Sequence, residues 1–446
     1  MHIPFSAETY KNRREALCKK VGNGLILIAG NEEAPMNYSG NPYPFRQDSN
    51  FRYYAGIDRP GLHLLMDASI GESTLYGDDM TLDDVVWMGA QPSTRELGER
   101  VGISTCGSTK QLHSRLEKNR QEVHYLPPYR AERKRVLQAL VGHADKPSAG
   151  LITAVISQRS IKSEEEIREM ERAVNTSRDM HHAAMEAARP GVLESEIAGL
   201  IEGIAIQAGG RLSYSSIVTR NGHILHNHDH SNRLKEGDLL LIDAGAESAS
   251  GYAGDITRTF CIGREMDEHQ RAIYEIVKAA EEDIIADLRP GLPYRVYHDQ
   301  SCKIIANGLK SLGLMKGDVD EAVAAGAHTL FFPHGLGHMI GLDVHDMEDL
   351  GEDLVGYDDE VKRSNQFGTA YLRLGKRLQA GFVITVEPGI YFIPALIDKW
   401  QSEGRYSDFI DYNAVAAYRN FGGIRIEDDV LITESGSQVL GNTIHK

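Results

Sequence analysis

Cysteine is scarce in this chain, with four in 446 residues. Cys18, Cys106, Cys261 and Cys302 lie far apart and form no C-x-x-C pair. That spacing points to free thiols in a reduced, cytoplasmic setting. No apolar stretch approaches the ~18–20 residues that a membrane span needs. A membrane is therefore not an expected partner. The opening segment, Met-His-Ile-Pro-Phe-Ser-Ala-Glu, has no basic patch followed by an apolar run, so no signal peptide is expected. Positive charge is in deficit. There are 48 Lys and Arg against 64 Asp and Glu, a formal net charge of −16. Nothing concentrates cations to offset phosphate repulsion, which argues against a nucleic-acid partner. The chain has no P-loop, no G-x-G-x-x-G opening a helix after a strand, and no G-x-S-x-G serine-hydrolase elbow.

What is present is ordinary in bulk and unusual in detail. Hydrophobic residues make up 41% and charged residues 25%, as expected of a soluble globular protein. The length favours two domains. The first, 1–158, alternates helix and strand patterns. Charged helix formers run from Phe5 to Lys20. Gly24 to Gly30 reads as a buried strand, with further strands at Gly61–Asp67 and Glu72–Tyr76 and helices near 92–102 and 131–140. A boundary is expected near Ser160–Ser163. There Ser163 and Glu166 form a capping-box pattern before a long helix striped by Ile167, Met170, Ala173 and Ser177.

The second part, 159–446, carries a weak internal repeat. A long helix, Arg189-Pro190-Gly191-Val192, another helix and a strand around Ser213–Val218 make the first copy. A helix from near Asp267, Arg289-Pro290-Gly291-Leu292, another helix and a strand at Thr329–Pro333 make the second. Each copy then meets a strand pair bearing two carboxylates. These are Asp243 and Asp255 in the first copy, and Glu387 and Glu427 in the second. Two similar α/β halves closing on one shared site are expected.

Asp243 follows the apolar run Leu239–Ile242, and Glu387 follows Phe382–Val386. A carboxylate on a buried strand must be paired or bind a metal. Four of them would repel one another without cations. His334, His338 and His345 lie in a glycine-rich run that allows close backbone approach. One would ligate metal, and the others would hydrogen-bond a substrate carbonyl or oxyanion. His226 is a further candidate, whereas His223, His228 and His230 read as a polar loop. The acidic stretch from Asp346 to Glu360 reads as a solvated loop. Arg425 and Glu427 share a strand face by the period of two. Hard oxygen donors with a single imidazole suit two divalent cations: Mn²⁺ first, with Zn²⁺ or Co²⁺ fitting the same donors. Such a pair activates water and polarises a carbonyl, so the chain reads as a metallohydrolase.

On these motifs the chain resembles the prolidases and aminopeptidases P, proline-specific metallopeptidases of the pita-bread fold. The resemblance covers most of the chain. Phe45-Arg46-Gln47-Asp48-Ser49-Asn50-Phe51 is similar to the start of their N-terminal domain signature, and all five ligand motifs follow in order. It implies an α/β (α+β) architecture. A creatinase- and aminopeptidase-P-like domain would occupy 1–158, and a pita-bread catalytic domain with a pseudo-twofold repeat would occupy 159–446. It also implies roles. Asp243 and Asp255 would bind one ion, Asp255 and Glu427 would bridge both, and His338 and Glu387 would complete the second. Glu387 would shuttle the proton. His345 and His226 would steady the carbonyl, His334 would line the proline side, and Arg425 would support Glu427 and the substrate. The substrate would be a small peptide with proline second, whose tertiary amide has no N–H.

Arg373 resembles the arginine with which prolidases capture the free proline carboxylate, a task suited to bidentate Arg. The long segment between Glu387 and Glu427 is also prolidase-like. An Xaa-Pro dipeptidase is therefore expected, with an Xaa-Pro aminopeptidase as the close alternative. A metal-free creatinase-like hydrolase and a non-catalytic peptide-binding module are the other readings. Asn-His-Asp-His after His226 departs from the tyrosine-containing sequence of many relatives. The family implies a homodimer.

Overall fold

The computed structural model describes residues 3–118, 122–442 and 444. The chain divides into two compact units, Met1–Arg159 with Met347–Gly351, and Ser160–Asp346 with Glu352–Lys446.

The first unit is built on five strands: β1 (Leu25–Ala29), β2 (His63–Asp67), β3 (Glu72–Tyr76), β4 (Thr105–Gly107) and β5 (Val123–Tyr125). Their order is β4-β3-β2-β1-β5. β1 is buried along its whole length, as its continuous apolar run requires. It pairs antiparallel with β2 and parallel with β5. The Phe45–Phe51 motif has a local structural job. Asp48 caps the helix Ser49–Ala55, and buried Gln47 accepts hydrogen bonds from the Asn31 and Asp48 amides.

The second unit opens on the helix Glu164–Ala187, with the full Ser163–Glu166 capping box. Met170, Ala173 and Ser177 are buried on its inner stripe. Ser177 Oγ accepts the Ala246 amide at 2.9 Å, fixing the helix to the chain beyond Asp243.

Among the described residues, ten short strands follow. They are β6 (Arg211–Leu212), β7 (Ile217–Thr219), β8 (Leu239–Asp243), β9 (Ala246–Glu247), β10 (Thr257–Cys261), β11 (Val383–Val386), β12 (Gly389–Tyr391), β13 (Gly423–Arg425), β14 (Asp428–Ile432) and β15 (Ser437–Val439). β10-β8-β7 and β11-β14-β15 form two three-stranded antiparallel sheets, one in each half.

The internal repeat is visible bond by bond. Gly191 and Gly291 follow their Arg-Pro pairs at φ 95° and 96°, a left-handed backbone natural to glycine. The Gly191 amide donates to Leu234 O, and the Gly291 amide donates to Leu378 O, both at 2.9 Å. Leu234 and Leu378 donate back to Val192 and Leu292. Arg233 and Arg377 reach the carbonyls of Gly191 and Gly291. Helices Glu194–Gln207 and Tyr294–Ser311 then start at equivalent points. The expected α/β catalytic domain with a pseudo-twofold repeat is borne out.

Two expected strands differ. Thr329–Pro333 is not a strand; a 3-10 turn spans Ala327–Leu330. Gly326 sits at φ 91°, and Thr329 Oγ1 donates back to its carbonyl at 2.7 Å, which closes a tight turn instead of extended chain. Ser213–Val218 contains the gap between β6 and β7, and that gap holds Tyr214. Among the described residues, no helix is long and apolar enough to cross a membrane.

Candidate metal centre

β8 delivers Asp243 at its last position, directly opposite Thr257 of β10. Asp255 lies two residues before Thr257, so one antiparallel register brings both aspartates together. The connecting chain turns tightly. A Cβ on Gly245 would come within 1.8 Å of Gly254 O. In the other half, β11 ends at Val386 and releases Glu387, while Glu427 lies between β13 and β14. An isolated bridge pairs Glu427 with Thr257 across the two halves. His338 is held by the same cross-strand logic. Its amide donates to Thr385 Oγ1 at 3.0 Å, and Gly337 passes so close to Thr385 that a Cβ would lie 2.1 Å from its carbonyl oxygen.

Asp255, His338 and Glu427 bring ligand atoms within 4.8 Å of one another. His338 Nε2 lies 3.5 Å from Asp255 Oδ2 and 3.6 Å from Glu387 Oε1. His334, His345, His226, Arg373, Asp243 and Arg425 line the same cavity of about 630 Å³. All ten site residues expected from the sequence therefore meet in one place.

Several partners carried no sequence signal. Tyr214 donates to Asp255 Oδ1 at 2.5 Å. Thr257 Oγ1 donates to Glu427 Oε2 at 2.6 Å. Tyr391 receives a hydrogen bond from Arg425 and donates one to His334 Nε2, since His334 Nδ1–H is spent on Gly335 O. His228, expected in a polar loop and not as a site residue, lines the cavity as well. Its loop follows β7, whose first residue, Ile217, lines the cavity too. Arg425 is buried, and its arms go to Asp243, Tyr391 and Thr257. That makes it a counter-charge for the carboxylates. Arg373 is 35% exposed, lines the cavity and donates to Glu352 Oε2 at 3.0 Å.

The electrostatics fit a cation. Burial, and then the charges of Asp255, Glu387 and Asp243, push the Glu427 carboxyl well above its ordinary range. Burial also raises Asp243, against the pull of Arg425. Burial pushes Glu387 up to about 7, against His338 and Arg425. Asp255 runs the other way: burial would raise it, but the hydrogen bond and charge of His338 hold it low. His338 Nδ1 faces Met339 O at 3.1 Å, so Nδ1 is the donor and Nε2 turns toward two carboxylates. Such an arrangement needs either a proton or a metal ion between nitrogen and oxygen. Among the described residues, Asp243 Oδ1 is buried with no hydrogen-bond partner. The donor set thus fits divalent metal. His345 and His334 are pushed down to about 2 and 3. Burial dominates both, followed by His338 for His345 and Arg425 for His334. Burial, then Arg425, lowers His226 too. These three rings are neutral at pH 7.

Comparison with known proteins agrees with this geometry. The model of metallopeptidase family M24 matches residues 168–434, more than half of the chain. The chain belongs to that family. Residues 10–125 of this M24 metallopeptidase also match the aminopeptidase P N-terminal domain. It is 32% identical to the Xaa-Pro aminopeptidase of Escherichia coli K12, over 99% of this chain and 96% of that one. It is 28% identical to the Xaa-Pro dipeptidase of Homo sapiens, over 96% and 89%. A solved complex of E. coli aminopeptidase P with substrate superposes with a TM-score of 0.82 at 31% identity, covering 98% of this chain and 95% of that one. A zinc-substituted form of the same enzyme with product matches equally well, with the same TM-score, identity and coverage. The expected enzyme class and fold are borne out.

The carboxylate cluster links metal binding by this M24 metallopeptidase to pH. Asp243, Glu387 and Glu427 have raised pKa values in the fold, so the folded state keeps protons that the unfolded chain releases. Their stabilisation is complete below the ordinary carboxyl range and is lost as pH rises through the raised values. Raised His338 acts in the same direction. Protons and metal compete for this cluster, so the rise in melting temperature that divalent metal gives chelated protein should grow between about pH 5 and about pH 8. Differential scanning fluorimetry reads this directly. A metal-induced rise that shrinks over that range would contradict the account.

Proposed function

We propose that this protein is an Xaa-Pro dipeptidase that uses two divalent cations, manganese first. The observation that carries the dipeptidase reading is Arg373. Its half-buried guanidinium lines the cavity that holds the ligand cluster. A substrate ending at proline presents a carboxylate beyond the scissile bond, and a planar guanidinium is the side chain best matched to it. The long segment between Glu387 and Glu427, which contains the helix Pro394–Ser402, resembles that of prolidases and supports the same reading.

Asp243 and Asp255 would hold one ion, Asp255 and Glu427 both, and His338 and Glu387 the second. Bound there, the ions supply an activated water at neutral pH and polarise the substrate carbonyl. Mainly oxygen donors with one imidazole suit manganese. The remaining work falls to side chains. Glu387 takes a proton from the attacking water and returns it to the proline nitrogen as the C–N bond breaks. Neutral His345 and His226 offer N–H donors to the oxyanion. His334, fixed between Gly335 O and Tyr391, lines the proline side. Arg425 keeps Asp243 and Glu427 in place. Four unpaired thiols fit the reducing cytoplasm, which is the compartment we infer.

The second reading is an Xaa-Pro aminopeptidase acting on longer peptides. It is favoured by the name of the E. coli relative. Hydrolysis of one Xaa-Pro dipeptide and the matching Xaa-Pro-Yaa tripeptide in Mn²⁺, with a chelated control, separates the two. The dipeptide should be the faster substrate. Arg373→Ala should cost it about 10²-fold in kcat/KM, the scale of a lost charged hydrogen-bond pair, and change the tripeptide far less. Equal losses on both substrates would remove Arg373 from carboxylate recognition.

We also infer a homodimer. The helix Leu82–Met88 has no buried residue and leaves Leu82, Val86, Trp87 and Met88 60–86% exposed. Apolar surface of that kind is covered in stable proteins, here by a second copy. Light scattering should give twice the chain mass, and Val86→Glu with Trp87→Glu should halve it. A monomeric parent would contradict the inference.

A further inference from the structure

The acidic stretch that begins at Asp346 reads from sequence as solvated, but its first member is not. The Asp346 side chain is 0% exposed, and Lys162 Nζ lies 2.8 Å from its Oδ2 with that side chain 1% exposed. A buried ion pair is weak evidence for stability, because desolvation cancels most of the attraction. Its placement offers a different reason for it.

Asp346 follows His345 directly and closes the loop that carries it. Its amide donates to Met339 O at 2.9 Å, and its Oδ1 faces the Asp343 amide at 3.4 Å. The base of that loop is tied to β11 by Ile340 N to Val383 O at 3.1 Å. At the other side the Ala253 amide, two residues before Asp255, donates to Gly341 O at 2.8 Å. The loop tolerates little change at this point, since a Cβ on Gly341 would lie 2.5 Å from Asp346 Oδ2. Lys162 is fixed independently. Its amide donates to Gly381 O at 2.8 Å, in the turn that leads into β11 and on to Glu387. One lysine thus links the strand that delivers Glu387 to the loop that delivers His345. At the far end of that loop the His345 ring meets the His338 ring edge-on, with centroids 4.2 Å apart.

We propose that the Lys162–Asp346 pair is a positioning device that sets His345 against the metal cluster. Neither side chain lines the cavity that holds the ligand cluster. This inference rests on the role of His345 in the reading above. A misplacement near 1 Å at an oxyanion donor costs about 10²-fold in rate. Lys162→Met should therefore lower kcat about 10–100-fold while KM and bound metal stay near the parent values.

The test is a double-mutant cycle with His345→Ala, scored by kcat on the better of the two peptides. Lys162→Met should add little to the loss already caused by His345→Ala, because both remove one interaction. Should Lys162→Met fold poorly, Lys162→Met with Asp346→Leu replaces the pair by apolar groups of similar size. That variant should melt like the parent and still turn over slowly. Parent-like kcat in either variant would overturn the proposal, as would full multiplicative losses in the cycle. An inactive parent would instead count against the peptidase reading, so the two failures are distinguishable.

Discussion

The constraint on which everything else depends is electrostatic. Asp243, Asp255, Glu387 and Glu427 converge inside the protein, where water cannot disperse their charge. Like carboxylates in such surroundings must bind protons, meet fixed cations or hold metal. Arg425 answers part of the charge through Asp243, and His338 answers part through Asp255. The remainder is visible as raised pKa values at Asp243, Glu387 and Glu427. Carboxyls raised in this way exchange their protons for a divalent cation, as those of a metal centre with hard donors should.

The fold is the means of holding those charges together. Antiparallel pairing of β8 with β10 fixes one aspartate pair, and β11 with β14 fixes the frame around the glutamates. The repeat matters because it builds the two frames alike, down to paired glycines and the arginines that brace them. Neither half has a complete ligand set. The bridge between Thr257 and Glu427 joins them, with the Thr257 hydroxyl bonded to the Glu427 carboxylate. A site shared in this way exists only when both halves are folded and registered.

Much of this was legible in the sequence, for physical reasons. Apolar runs ending in a carboxylate announce a buried charge, so Asp243 and Glu387 stand out. Glycines spaced among histidines announce close backbone approach, which the contact of Gly337 with Thr385 bears out. The matching order of elements around the two Arg-Pro-Gly turns announced the repeat. Groups whose role arises only from long-range packing were not legible. Tyr214 sits in a short gap between two strands with no motif around it. Asp346 resembles its exposed acidic neighbours, and nothing local links it to Lys162. His228 shares its surroundings with three other histidines, and only the path of the loop selects it. The 3-10 turn at Ala327–Leu330 replaced an expected strand because a glycine cap and a threonine hydroxyl outweighed apolar patterning.

The most direct test of the central claim is metal stoichiometry. Protein reconstituted with Mn²⁺, desalted and assayed by plasma mass spectrometry should hold two ions per chain, as this donor set implies. Asp255→Asn and Glu427→Gln should each lower that number, because each removes a shared charge. Parent protein without bound manganese, zinc or cobalt would contradict the account. So would two ions retained undiminished in both variants, which would place the metal elsewhere.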